Sequence, residues 1–333
     1  LQVWPTVLEM GVSAYKRMHV WDGDGTASLD FAAAELDVPA LGHIIENRVL
    51  TAALAQRLMG NGRVNVLAPQ RVIGYETATQ GALLQLADGS ALHTRLVVAA
   101  DGALSGIREL AAMPTREWDY GQHAIVCTVE VERPHGGTAW QRFSSTGPVA
   151  FLPLAGRAGR HYCSIVWSQQ SDIAIGLLEL DDAGFTQALG DAFEWRLGGI
   201  LALSPRAGFP LRQRHAIDYV QPGLALIGDA AHTIHPLAGQ GINLGLQDVS
   251  VLAEEIKRGV ELGMDPGELA LLARYQRRRK GENLLMMAAM DGFKHLFAQQ
   301  ALPLRWLRNT GMRMVGQAAP LKQQLMRHAM GIR

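Results

Sequence analysis

A chain of 333 residues, 48% hydrophobic and 19% charged, is long enough to bury a substantial core and to form two domains. Its formal net charge of +0 lacks the basic excess of a nucleic-acid binder, so no nucleic-acid partner is expected. No apolar run reaches the roughly 18 residues that would span a bilayer and no signal peptide opens the chain, while Cys127 and Cys163 each lie in an apolar run; a soluble or peripheral cytoplasmic protein with buried free thiols is expected.

In chain order, residues 1–14 read as the end of a helix and a loop. Tyr15–Asp22 and Ala27–Phe31 read as strands around a Gly23-Asp24-Gly25 turn, followed by a helix over Arg48–Leu58. Arg48 stands out, because a cation at a helix start faces the unfavourable end of the dipole and needs an anion beside it; Glu46 is the local candidate. Short strands are expected at Val64–Leu67, Val72–Thr77, Ala82–Leu86 and Leu92–Ala99, with Asp88-Gly89 as a hairpin turn. The last of these ends at Asp101-Gly102, ahead of a helix start at Ser105–Arg108, where Ser105 reads equally as a cap.

From Gln122 to Trp167, β-prone runs follow one another without helices, the pattern of an antiparallel sheet and a separate layer. A helix over Asp181–Leu197 carries Phe185, Leu189, Phe193 and Leu197 at a four-residue spacing, and Pro210–Arg212 lies in a strand returning the chain. Leu224–Ile227 is a short buried-type strand that closes on Gly228-Asp229. Two apolar strands that each end in an Asp and Gly pair suggest one sheet edge, the place where open α/β sheets bind ligands. A glycine loop, Leu237–Gly241, then opens a long helix whose apolar stripe reads as Leu246, Val249, Ala253, Ile256 and Val260, with Asp248 off it. A glycine-rich helix start offers N–H groups to an anion, and Asp229 wants hydroxyl donors; together they suggest a polyol with a nearby anionic centre. His232 and His235 tempt assignment as bases or metal ligands, but no further ligand lies nearby in sequence, and no metal site or catalytic base is assigned.

After Val260 the chain reads as helical. The run Arg277–Lys280 reads as a solvated face, and Met286, Met287, Met290, Met312 and Met314 offer adaptable apolar surface. Beyond Asp291 there is no acid, while Lys294, Arg305, Arg308, Arg313, Lys322, Arg327 and Arg333 give seven positive side chains among apolar ones. Such a tail suits an anionic lipid surface or a partner protein, or packs on its own domain with its cations solvated.

The string GDAAHTIHPLAGQGINLGLQD (228–248) resembles the second flavin motif of the class A aromatic hydroxylases, the FAD monooxygenases similar to p-hydroxybenzoate hydroxylase. MHVWD (18–22), ALGHIIENRVL (40–50), ADGALSGIR (100–108), WDYGQHAIV (118–126), AFLPL (150–154) and LKQQLMRHAMG (321–331) extend the resemblance over nearly the whole chain, most closely to the ubiquinone-biosynthesis hydroxylases of polyprenyl phenols. The resemblance implies an α/β fold: a Rossmann-like FAD-binding domain (1–110 plus 208–265), an antiparallel β-sheet substrate domain (111–207) and a helical C-terminal region (266–333). No GxGxxG occurs, so the sequence looks like a family member without its first βαβ unit, which puts its hold on FAD in question.

The resemblance also implies roles. Asp229 of the Gly228-Asp229 turn would bond the flavin ribityl chain, Pro236 would wall the reactive edge, and Gly239, Gln240, Gly241, Ile242 and Asn243 would offer backbone donors to the pyrimidine end. Arg48 would lie beside the flavin nucleotide, and Asp101-Gly102 near the flavin and the nicotinamide. The implied activity is ring hydroxylation of a polyprenyl phenol through the oxygen adduct of reduced FAD, with NAD(P)H as electron donor, at the surface of the inner membrane or beside other ubiquinone-biosynthesis proteins. A hydroxylase of a soluble aromatic acid, or a non-catalytic lipid-binding or scaffold subunit, are the alternatives.

Overall fold

A computed structural model describes residues 2–234, 241–298, 309–311, 314, 316 and 318–330. The chain forms two compact units: Leu1–Val66, Gly121–Pro210 and His295–Arg333 make the first, and Leu67–Tyr120 with Leu211–Lys294 the second. Its N-terminal elements are α1 (Trp4–Met10), β1 (Ser13–Tyr15), β2 (Arg17–Asp22), β3 (Ser28–Ala32), β4 (Gly42–Ile44) and α2 (Asn47–Met59). Next come β5 (Val72–Thr77), β6 (Ala82–Leu86), β7 (Ala91–Thr94), β8 (Val97–Ala99), α3 (Gly106–Leu110) and the long β9 (Thr115–Val131). β10 (Thr138–Phe143), β11 (Val149–Pro153), β12 (His161–Gln170), α4 (Ser171–Glu179), α5 (Asp182–Ala192), β13 (Ile200–Leu203) and β14 (Ala207–Ala216) follow. The chain continues through β15 (Val220–Gln221), β16 (Leu224–Leu226), a 3-10 turn at Gly228–Ala230, β17 (His232–Thr233), α6 (Gly241–Glu261), α7 (Leu269–Ala298) and α8 (Ala319–Ala329).

In the first unit a sheet runs in the order β9-β12-β11-β10-β2-β3, with β13 also on β9. All its pairings are antiparallel except β10 with β2, where Trp140 stands opposite His19. Alternate residues of β12, Cys163, Ile165 and Trp167, are buried together with Phe185 and Leu189 of α5, which gives the period-2 and four-residue patterns of the sequence a common core. Phe193, just past the end of α5, stacks on Phe151 at 3.6 Å. α8 packs on the same unit: Met326 is buried with Ala33 and Leu41, and Lys322 Nζ donates to Glu35 at 2.7 Å.

In the second unit β8 and β16 run parallel, with β15 antiparallel on β16, and β5-β6-β7 form a meander. Leu224, Ala225 and Leu226 are fully buried, and Leu271, Leu272 and Tyr275 of α7 join them in one core.

The α/β expectation with a largely antiparallel sheet holds, but several local expectations do not. Val64–Leu67 forms no strand, and the single strand expected over Leu92–Ala99 is two, β7 and β8, in different sheets. By compactness, residues 1–66 group with the sheet of the first unit, into which the parallel pairing of β2 with β10 builds them.

The stripe expected on α6 is also out of register. Its buried residues are Leu244, Asp248, Leu252, Glu255 and Gly259, whereas Leu246 and Val260 are exposed. A stripe containing two carboxylates and a glycine is invisible to a search for apolar spacing.

Candidate flavin site

The two Asp–Gly turns come together in the second unit. β8 and β16 pair in parallel with Leu224 opposite Val97 and Leu226 opposite Ala99, so both strands reach their carboxyl ends side by side. Just beyond, Gly102 (φ 86°) and Gly228 (φ 56°) hold left-handed backbone that only glycine adopts cheaply. Gly228 also meets Gly245 of α6: a Cβ on Gly245 would lie 3.3 Å from the Gly228 Cα, so the small residue lets the turn and helix approach.

The two acids are not equivalent. Asp101 is engaged by its own helix, accepting from Ser105 Oγ at 2.5 Å and from the Ile107 N–H at 3.1 Å, while Ser105 caps α3 by accepting from the Arg108 N–H. Asp229 is exposed and its carboxylate makes no hydrogen bond among the described residues. Flanking protein atoms desolvate it enough to raise its pKa, against the opposing pull of His232. Arg108, 3% exposed, joins the two turns by donating to Ala230 O at 2.7 Å and to Ala103 O at 2.9 Å. Burial holds its pKa down, with repulsion from Arg214 adding to the effect.

Behind the Asp229 turn lies a buried polar network centred on Asp248. Its Oδ2 accepts from the Gly228 N–H at 3.0 Å and lies 2.5 Å from His232 Nε2; its Oδ1 accepts from Arg279 Nε at 2.7 Å and Asn283 Nδ2 at 3.4 Å. Arg279 also donates to Glu282, Asn283 Oδ1 and Leu244 O. Asn283 reaches on to the Tyr219 hydroxyl, which meets His215 Nε2 at 3.0 Å. Burial alone would raise the Asp248 pKa, but the bonds from His232, Arg279 and the Gly228 N–H outweigh it and hold the carboxyl below its ordinary value. Burial lowers the His215 pKa to about 4.

Two of these residues correct the sequence expectation: Asp248, placed off the buried stripe, is 0% exposed, and Arg279, placed on a solvated face, is 1% exposed. Desolvated charges of this kind persist only when paired, and the partner lies 31 positions away along the chain, beyond the reach of spacing arguments.

α6 begins at Gly241, with Ile242 and Asn243 exposed, so its first turn has N–H groups for which the helix itself has no acceptor. Pro236, Gly239 and Gln240, with His235, lie outside the described residues. Arg48, in the first unit, forks onto Glu46 at 2.6 and 3.1 Å, the local partner foreseen from sequence. An exposed carboxylate at a strand end, bonded to no described residue, fits the hydroxyl-rich chain of a flavin.

The FAD binding domain family matches residues 3–286. This chain belongs to that family. As a member of the FAD-binding family it is 38% identical over its whole length to 3-demethoxyubiquinol 3-hydroxylase of Escherichia coli, of which it covers 83%. Over 94% of its length it is 42% identical to ubiquinone hydroxylase UbiL of Rhodospirillum rubrum, of which it covers 72%. Among solved structures, PqsL of Pseudomonas aeruginosa shares the fold at a TM-score of 0.76 and 22% identity, with 92% of this chain and 83% of that one aligned. HpxO of Klebsiella pneumoniae, solved with FAD and uric acid, does so at 0.70 and 17%, with 98% and 82% aligned.

Proposed function

We propose that this protein is an FAD-dependent monooxygenase of ubiquinone biosynthesis that hydroxylates the ring of a polyprenyl phenol. The observation that carries the proposal is identity of 38% and 42%, over essentially the whole chain, to one hydroxylase named for a demethoxyubiquinol and one named for ubiquinone. The overall reaction balances as phenol plus O2, NAD(P)H and a proton giving the dihydroxy ring, NAD(P)+ and water. When bound, FAD would carry the two electrons taken from NAD(P)H and supply the activation of oxygen.

The protein's part is to hold and orient. The free Asp229 carboxylate accepts hydroxyl groups of the ribityl chain, and the N–H groups at the start of α6, from Gly241 to Asn243, stabilise negative charge at the pyrimidine end. Asp101-Gly102, braced by Ser105 and Arg108, sets the neighbouring turn for nicotinamide contact. The antiparallel sheet carries the substrate, and the basic stretch after Asp291 meets the membrane surface where a polyprenyl substrate resides. No helix among the described residues is long and apolar enough to cross a membrane; Lys322 is paired with Glu35, whereas Arg327 of α8 is exposed.

The test is flavin absorbance co-eluting with the full-length protein, then NAD(P)H- and O2-dependent hydroxylation of a short-chain polyprenyl phenol. Asp229→Ala should lose flavin while keeping its far-UV circular dichroism; unchanged flavin affinity would make Asp229 a turn residue only. Sedimentation with anionic liposomes should fall as salt rises, and failure to bind at any salt removes the membrane contact.

A further inference from the structure

The Asp248 network has no place in the flavin contacts just assigned, yet it surrounds the residue on which they depend. One carboxylate oxygen of Asp248 takes both the Gly228 N–H and the His232 ring, and these two residues bracket Asp229. The other oxygen is held by Arg279 and Asn283 of α7, and Arg279 also reaches Leu244 O near the start of α6. All four residues are at most 1% exposed. Hydrogen bonds to a buried charge are stronger than neutral ones, so the backbone of this turn is held through a buried, charge-assisted network.

The grip is more than the fold requires. The adjoining strand needs only apolar burial, and an apolar filling of the same space would supply it without desolvating ions. Gly228, at positive φ, is the strained part of the turn, and Asp229 beside it presents an exposed carboxylate. A carboxylate that must meet hydroxyl groups in one orientation benefits from a turn that does not rearrange on binding.

We propose that Asp248, held by Arg279 and Asn283, is the positioning residue that fixes the Gly228–His232 turn so that Asp229 is preset to receive the ribityl hydroxyls of the flavin. The proposal rests on the flavin assignment of Asp229. It names α7 as part of the cofactor site although no residue of that helix is assigned a contact with the cofactor.

The test uses the full-length protein and reads the turn and the cofactor separately. In the wild type without added FAD, amide exchange at Gly228 should be as slow as in the buried strand β16; exchange as fast as in an open loop overturns the proposal outright. In Asp248→Asn, and in the double variant Asp248→Leu with Arg279→Met, which replaces the ion pair by apolar groups and keeps the fold, Gly228 exchange should accelerate at least tenfold. The FAD dissociation constant, from quenching of flavin fluorescence, should rise about ten- to a hundredfold in both, the equivalent of one lost charge-assisted hydrogen bond. A double variant that keeps its melting temperature, its Gly228 protection and its FAD affinity within twofold overturns the positioning role. A wild type with a protected turn that binds no FAD overturns the flavin assignment instead and leaves Asp248 as a purely structural residue.

Discussion

Arg277 and Arg279 are neighbours in one basic run, and their substitution by methionine should differ sharply in its cost. Arg277 is exposed and makes no hydrogen bond or ion pair among the described residues. Removing such a side chain changes stability by about 0.5 kcal/mol at most. Arg279 is 1% exposed and bonds Asp248, Glu282, Asn283 and Leu244 O. Arg279→Met leaves the buried Asp248 charge with His232, the Gly228 N–H and a long contact from Asn283, and strips Leu244 O of this donor. Breaking a buried pair by removing one partner costs about 3–5 kcal/mol, so this variant should fall in that range. Asp248→Leu combined with Arg279→Met should recover most of the loss, because no orphaned charge remains. Urea unfolding followed by circular dichroism measures all three against wild type, with the slope checked for constancy. Equal midpoints for Arg277→Met and Arg279→Met would refute the reasoning, and so would a double variant no better than Arg279→Met.

Stability should fall in two separate acid windows. His215 has its pKa depressed to about 4 from an ordinary 6.5, so the unfolded chain takes the proton first; stability is full above the ordinary value, falls by about 3 kcal/mol between the two pKa values and then levels. His215→Gln should abolish that loss in urea titrations across the range, and an unchanged profile refutes it. Asp248, whose pKa is lowered, contributes stability that is present above its ordinary 3.8 and is lost only as pH falls further, a limb that Asp248→Asn should remove. Asp229 has the opposite sign: its raised pKa means its charge weighs against the folded state at neutral pH, so Asp229→Asn should raise the melting temperature of the cofactor-free protein while weakening FAD binding. A lowered melting temperature would contradict this. Gly228→Ala forces a side chain into left-handed backbone and should cost about 1–2 kcal/mol, read from the same urea curves; a neutral effect would show that the turn adapts.

Much of this protein was determined locally and is therefore readable from its sequence. Val72–Thr77 and Ala82–Leu86 are strands as their alternation implies, the Arg48–Leu58 expectation falls within α2, and Ser105 caps α3 as one of its two readings held. The Asp–Gly pairs that end Val97–Ala99 and Leu224–Leu226 could be matched because each motif is short and its chemistry is carried by adjacent residues. Tertiary structure alone decided what those motifs rest on. Arg277 and Arg279 have the same side chain, and only the packing of α7 against α6 leaves one in solvent and takes the other out of it. Asp101 and Asp229 look alike in sequence, yet one is consumed by the helix that follows it and the other stays free. Asp248 broke the apolar stripe of α6 because its partners come from β17 and α7. A buried ion pair satisfies the interior as well as a leucine does, but its pattern is written across distant positions rather than in a period.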